Sequence, residues 1–175
     1  MEEKFRQIKQ EYESFHRELL RKGMLPMGDT EVGFWGAAVT EGIFELFQKI
    51  ELSKFRSFID LGSGDGRVAL IASLFTNASG IEFDRDLHRK AVEIRDKLGM
   101  KAELIQGDFM HHGLSGYDII FINPDKSFHK GLEEKLKREM KGMLIVYNIV
   151  YHPDTLKKGR TYWMRQVPAT VYTLK

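Results

Sequence analysis

The chain of 175 residues contains no cysteine. Disulfides and thiolate chemistry are thereby excluded, which fits a reducing compartment such as the cytosol. No run approaches the ~18 apolar residues that a membrane-spanning helix needs. The opening segment, MEEKFRQIKQ, is charged where a secretory signal would be apolar. A cytoplasmic protein with no membrane partner is expected. An excess of charge of one sign is also missing: 27 Lys and Arg against 25 Asp and Glu leave +2, too little to imply nucleic-acid binding by itself. Amides are scarce, with three Asn and five Gln, a composition that leans toward a heat-adapted source. Internal repeats and low-complexity tracts are absent.

What is present suffices for one domain, 1–175, with a proper core: 42% of residues are apolar and 30% charged. Residues 1–22 read as an amphipathic helix, with Phe5, Ile8, Tyr12, Phe15 and Leu19 on one face and Gly23 and Pro26 after it. Laid on its own domain it gives a monomer; used as a short seam it gives a weak homodimer. Met24 to Gly36 carries four breakers and reads as a loop, followed by a helix from Ala37 to Ile50. From Ser57 strands and helices alternate, which predicts a doubly wound α/β domain with a mostly parallel sheet. The expected strands are Ser57–Leu61, Ala78–Phe83, Ala102–Gln106, Tyr117–Ile122 and Met143–Tyr147. The helices between them are Arg67–Phe75, Arg85–Leu98 and Lys130–Met140. Two short strands, Thr161–Val167 and Ala169–Leu174, are expected around Pro168. Residues 1–36 thus form a helix and a covering loop, and 37–175 the α/β core.

The stretch that organises the chain is FIDLGSGDGRV, Phe58 to Val68. An apolar strand runs into glycines at alternate positions, Gly62, Gly64 and Gly66, and then into helical spacing. Such a loop brings bare backbone, with its N–H groups, to a ligand at a helix start. Its spacing differs from the G-x-G-x-x-G that holds a pyrophosphate. Two carboxylates, Asp60 and Asp65, flank it, and they suit a ligand carrying an ammonium or sulfonium.

Ligands of parallel sheets bind beyond the strand carboxyl ends, so the residues there are the candidates. Glu82 closes the second strand 20 residues past Gly62 and can accept both hydroxyls of a ribose, with Phe83 beside it as a flat surface for a purine. Asp108 and Phe109 follow the third strand and can meet an adenine amino group and ring. Together these stretches resemble motifs I, II and III of the class I S-adenosylmethionine-dependent methyltransferases, over residues 57–150. The resemblance implies a seven-stranded sheet, helices on both faces and a reversed last strand. It also implies S-adenosylmethionine as cofactor, with Asp60, Gly62, Ser63, Gly64 and Asp65 at its methionine end.

Methyl transfer from a sulfonium needs an in-line nucleophile that has lost its proton. Acceptor chemistry is therefore expected after the fourth strand, at Asn123-Pro124-Asp125-Lys126. Asn-Pro begins like the motif of adenine and glutamine amino-methyltransferases, but Asp125 and Lys126 depart from it. The same stretch is similar to the D-A-D-K run of metal-dependent catechol-type O-methyltransferases. There Asn123 and Asn148 would stand in for carboxylates, a poor donor set for a hard cation, and no metal is expected.

A loop with large aromatics, one helix and then D-L-G-S-G-D-G-R resembles the small archaeal protein-lysine methyltransferases, which share their domain type with the non-SET histone-lysine enzymes. That resemblance implies a lysine acceptor entering a slot walled by Phe34, Trp35 and Asn123, with Asn123 and Trp35 as catalytic candidates. A small-molecule or RNA/DNA acceptor stands as the alternative, and a non-catalytic S-adenosylmethionine-binding regulator as a second. His111 and His112 read as solvated loop residues. Lys157, Lys158 and Arg160, with Tyr162, Trp163 and Arg165, read as a loop entering an edge strand.

Overall fold

The structure, a computed structural model, describes residues 1–30, 33–128 and 131–175. Seven strands among these residues form one sheet in the order β5-β4-β3-β6-β7-β9-β8. They are β3 (Ser57–Leu61), β4 (Asn77–Glu82), β5 (Glu103–Gln106), β6 (Ile119–Ile122), β7 (Met143–Tyr147), β8 (Lys157–Met164) and β9 (Val167–Thr173). The first five are parallel; β9 runs antiparallel between β7 and β8. This is the class I methyltransferase architecture. A separate two-stranded ribbon, β1 (Met27–Asp29) and β2 (Phe34–Gly36), precedes the sheet. The helices are α1 (Glu2–Arg21), α2 (Thr40–Lys49), α3 (Arg67–Ala72), α4 (Arg85–Lys97) and α5 (Leu132–Glu139).

Side chains alternate across the strands and so feed two cores. Phe58, Ile119, Phe121 and Ile145 point to the face covered by α1 through α4. Ile59, Leu61, Ile120, Ile122 and Leu144 point to the face covered by α5. Because β6 is buried on both sides it reads as IIFI rather than as an alternating strand.

Aromatic rings tie the N-terminal helices to the sheet. Phe5 stacks on Phe44 at 3.9 Å, and the edge of Phe47 meets Phe58 at 5.3 Å. Such pairs contribute about 0.5–1.5 kcal/mol each beyond their buried area. The apolar stripe of α1 is therefore covered by its own domain, with Ile8 and Tyr12 fully buried. Among the described residues no helix is long and apolar enough to cross a membrane.

Three expectations need correction. The Met24–Gly36 segment contains a ribbon, not only a loop: Thr30 N–H donates to the Gly33 carbonyl at 2.7 Å and closes it. Glu31 and Val32 in that segment lie outside the described residues, as does Lys130, the expected start of α5. The final hairpin turns at Arg165 (φ 58°), whereas Pro168 sits inside β9 opposite Trp163. Pairing with β7 ends at Tyr147 and Ala169, so no ladder partner on that side needs the N–H that proline lacks. Finally, Lys157, Lys158 and Arg160 belong to β8 itself, with the Arg160 guanidinium over the Tyr162 ring.

Candidate active site

The sheet order turns at β3, which has β4 on one side and β6 on the other. At that point the carboxyl ends of the strands open into a cavity of about 770 Å³, an ordinary size for a small organic ligand. Five segments wall it: Gly62 from the glycine loop, Glu82 and Phe83 after β4, Asp108 to Met110 after β5, Asn123 to Ser127 after β6, and Phe34 and Trp35 from β2. The loop after β7 adds Asn148, Val150 and Tyr151.

The glycine loop differs from expectation in what it presents. The amides of Gly62 and Ser63 both donate to the Ile81 carbonyl, at 2.9 and 3.0 Å, and Gly66 donates to Ser63 at 2.8 Å. Gly64 N–H donates to the Glu82 carboxylate at 2.7 Å. These N–H groups therefore serve the turn itself, and the loop gives the cavity a smooth backbone surface rather than an anion cradle. Gly64 (φ 54°) carries the Trp35 indole so closely that a Cβ there would lie 2.6 Å from the ring.

The acids of the motif separate. Asp65 is turned away from the cavity, and both its oxygens accept from Arg67 Nε at 3.1 Å inside the protein. A buried guanidinium needs such a counter-charge. Arg67 also donates to the Ala38 carbonyl at 3.0 Å, lies over the Tyr12 ring and meets His16 Nε2 at 2.6 Å. Tyr12 donates to the Asp65 carbonyl at 2.8 Å, so this acid locks α1 to the loop and is unavailable to a ligand.

Asp60, Ser63, Gly64 and Asp65 are not among the lining residues. Asp60 lies buried beneath the loop, and burial with Glu82 and Asp65 nearby holds its carboxyl well above the usual range. Ser63 packs against Gly80 of β4.

Glu82 does line the cavity. One oxygen accepts from Gly64 N–H and the other from Asp84 N–H at 2.8 Å. A carboxylate offers about four lone-pair sites, so Glu82 keeps acceptor capacity for a ligand. Burial raises its pKa, an effect that the backbone donors oppose. Asp108 begins a short 3₁₀ turn, its Oδ1 accepting from Met110 N–H at 2.8 Å and its Oδ2 3.3 Å from His111. Gly107 N–H donates to the Glu82 carbonyl at 2.8 Å and so joins the ends of β4 and β5. Phe83 and Phe109 supply flat apolar walls beside these acids.

On the opposite side Asn123 is exposed and Pro124 buried. The Pro124 carbonyl accepts from Asn148 Nδ2 at 2.9 Å, and Asn148 Oδ1 accepts from the amides of Val150 and Tyr151. Val150 and Tyr151 carry no motif, and only the adjacency of β7 to β6 brings them to the wall. Among the described residues no three His, Asp or Glu side chains converge as metal ligands. The lining holds three carboxylates, Glu82, Asp108 and Asp125, against one described lysine, Lys126. That charge pattern suits a cationic ligand and opposes a pyrophosphate.

The family model "Histone methylation protein DOT1" matches residues 31–162. The chain belongs to the DOT1 family. It is therefore an S-adenosylmethionine-dependent methyltransferase of class I. No curated protein matches the chain.

Solved structures share the fold of this DOT1-family chain at low identity. An RNA methyltransferase from Salinibacter ruber, in complex with S-adenosyl-L-homocysteine, aligns with a TM-score of 0.64 and 19% identity, over 79% of this chain and 93% of that one. Magnesium protoporphyrin IX methyltransferase from Synechocystis PCC 6803, with bound S-adenosylmethionine, aligns at 0.63 and 10%, over 78% and 81%. Mitomycin 7-O-methyltransferase aligns at 0.62 and 14%, over 77% of this chain and 53% of its own, so this chain spans about half its length.

Proposed function

We propose that this enzyme methylates the side-chain amine of lysine in a protein acceptor. The observation that carries this reading is the cavity lining, in which the apolar side chains Phe34, Trp35, Pro124 and Val150 stand with Gly62 of the glycine loop. An unbranched aliphatic chain fits such walls, and the family description, histone methylation, names a protein acceptor for relatives.

In this reading the cofactor supplies an electrophilic methyl group on a positive sulfur, and the protein supplies orientation and charge. Glu82 would accept from the ribose hydroxyls with its remaining acceptor capacity. Phe83 and Phe109 cover the adenine, and Asp108 accepts from its amino group. Asp60, buried beneath the loop, supports the turn without touching the cofactor. Trp35 closes the loop side, and the Asn123 side-chain oxygen accepts an N–H of the incoming amine and directs its lone pair. The neutral amine is the form that can attack, so the amine must lose its proton to solvent before transfer. The domain division follows: residues 1–36 brace and cover the site, and 37–175 build it.

Transfer of a radiolabelled methyl group into fractionated cell extract tests the proposal. Label in protein, located on lysine by mass spectrometry, is expected. Label confined to RNA or to small molecules would overturn it, and tight cofactor binding with no labelled product would favour a binder.

A further inference from the structure

Asp125 stands at the tip of the segment after β6, far in sequence from the ribbon, yet the two are joined. Its Oδ2 accepts from Phe34 N–H at 2.8 Å, 91 residues away along the chain. Gly33 lies so close that an added Cβ would fall inside the Asp125 carboxylate. The backbone carrying Asp125 is itself braced, with Pro124 buried and its carbonyl held by Asn148. The ribbon has strands of three residues only, and a two-stranded ribbon is marginal by itself. Phe34 and Trp35 nonetheless form the roof of the slot, Trp35 lying on Gly64.

We propose that Asp125 is a positioning residue that latches β2 over the active site and favours the arrangement in which Phe34 and Trp35 wall the acceptor slot. The inference rests on the reading of Phe34 and Trp35 as slot walls. Asp125 does not act on the acceptor; its contribution passes through Phe34 and Trp35. The carboxylate works here as a hydrogen-bond acceptor, so an amide oxygen can replace it, while a methyl group cannot.

The chain has two tryptophans, and Trp163→Phe leaves Trp35 as the reporter. In that background and without cofactor, Asp125→Ala is expected to shift Trp35 emission to the red and to increase its quenching by acrylamide. Asp125→Asn keeps most of the native signal. With the unmethylated form of a protein that the enzyme labels as substrate, Asp125→Ala should lower kcat/KM for the acceptor about 3- to 10-fold, mainly through KM, the size of losing one charge-assisted hydrogen bond at a half-exposed position.

Gly33→Ala should reproduce the defect by displacing the carboxylate, and in the Asp125→Ala background it should add little. Native Trp35 emission in Asp125→Ala, additive effects of the two substitutions, or unchanged kcat/KM in a variant whose Trp35 is released would each overturn the proposal. If Trp35 responds as expected while no lysine is methylated, the latch stands and the acceptor reading fails.

Discussion

Gly64 and Gly66 look interchangeable in the motif, but alanine at the two positions should produce different failures. Both have positive φ, 54° and 80°, so a Cβ costs about 1–2 kcal/mol of backbone strain at either. At Gly66 the new methyl would lie 2.7 Å from the Ala91 Cβ, on the packed face of α4. Helix α4 must then shift, adding roughly 1–3 kcal/mol of overpacking. The sum is about 2–5 kcal/mol; at roughly 2–4 °C per kcal/mol for a chain of this size, Tm falls by about 4–20 °C. At Gly64 the obstruction is the Trp35 indole, 2.6 Å away, which can swing aside. Gly64→Ala should therefore lose only the strain, about 2–8 °C in Tm. It should bind S-adenosylhomocysteine about tenfold more weakly, the equivalent of some 1.4 kcal/mol. Thermal melts of ligand-free protein and calorimetry with S-adenosylhomocysteine separate the two cases. Adding Ala91→Gly to Gly66→Ala removes the clash but not the strain, so part of the lost Tm should return. Equal Tm losses for the two single variants, or wild-type affinity in Gly64→Ala, would refute the assignment of the two glycines to different neighbours.

Arg67→Met should destabilise the protein by about 3–5 kcal/mol in urea unfolding, because it strands the Asp65 charge in the interior; a loss under about 1 kcal/mol would contradict the buried pair. Glu82→Gln must turn its NH₂ toward the amide of either Gly64 or Asp84, both donors. Cofactor affinity by calorimetry should then drop about 10- to 100-fold. Burial raises the pKa of Asp60 and of Glu82. Above the ordinary carboxylate range the native state then holds more protons than the unfolded chain. Stability of ligand-free protein should accordingly fall as pH rises from that range toward neutrality and above. Asp60→Asn should flatten this slope in melts taken above the ordinary carboxylate range; an unchanged slope would exclude Asp60 as its source.

Local pattern carried far into the structure. Ser57–Leu61 and Met143–Tyr147 emerge with the residues expected of them, and the other sheet strands shift by a few positions at their ends. Glu82, Phe83, Asp108, Phe109 and Asn123 meet at one cavity because each follows a parallel strand, and parallel strands end on one edge. Asp65 was misjudged for the opposite reason. Nothing within the motif shows that Arg67, Tyr12 and His16 would enclose it, since two of these lie on a helix about fifty residues earlier.

The order of apolar runs, glycines and strand-end acids is enough to specify a doubly wound sheet and a nucleoside site, because burial and backbone freedom are settled within a few residues. Which distant hydrogen-bond partner a polar group takes was decided by the tertiary structure. The Ile81 carbonyl claims the glycine-loop amides, Tyr12 claims the Asp65 carbonyl, and Phe34 claims Asp125. A buried donor or acceptor pairs with whatever the folded chain brings within about 3 Å, and segments ninety residues apart become neighbours only once the sheet is built.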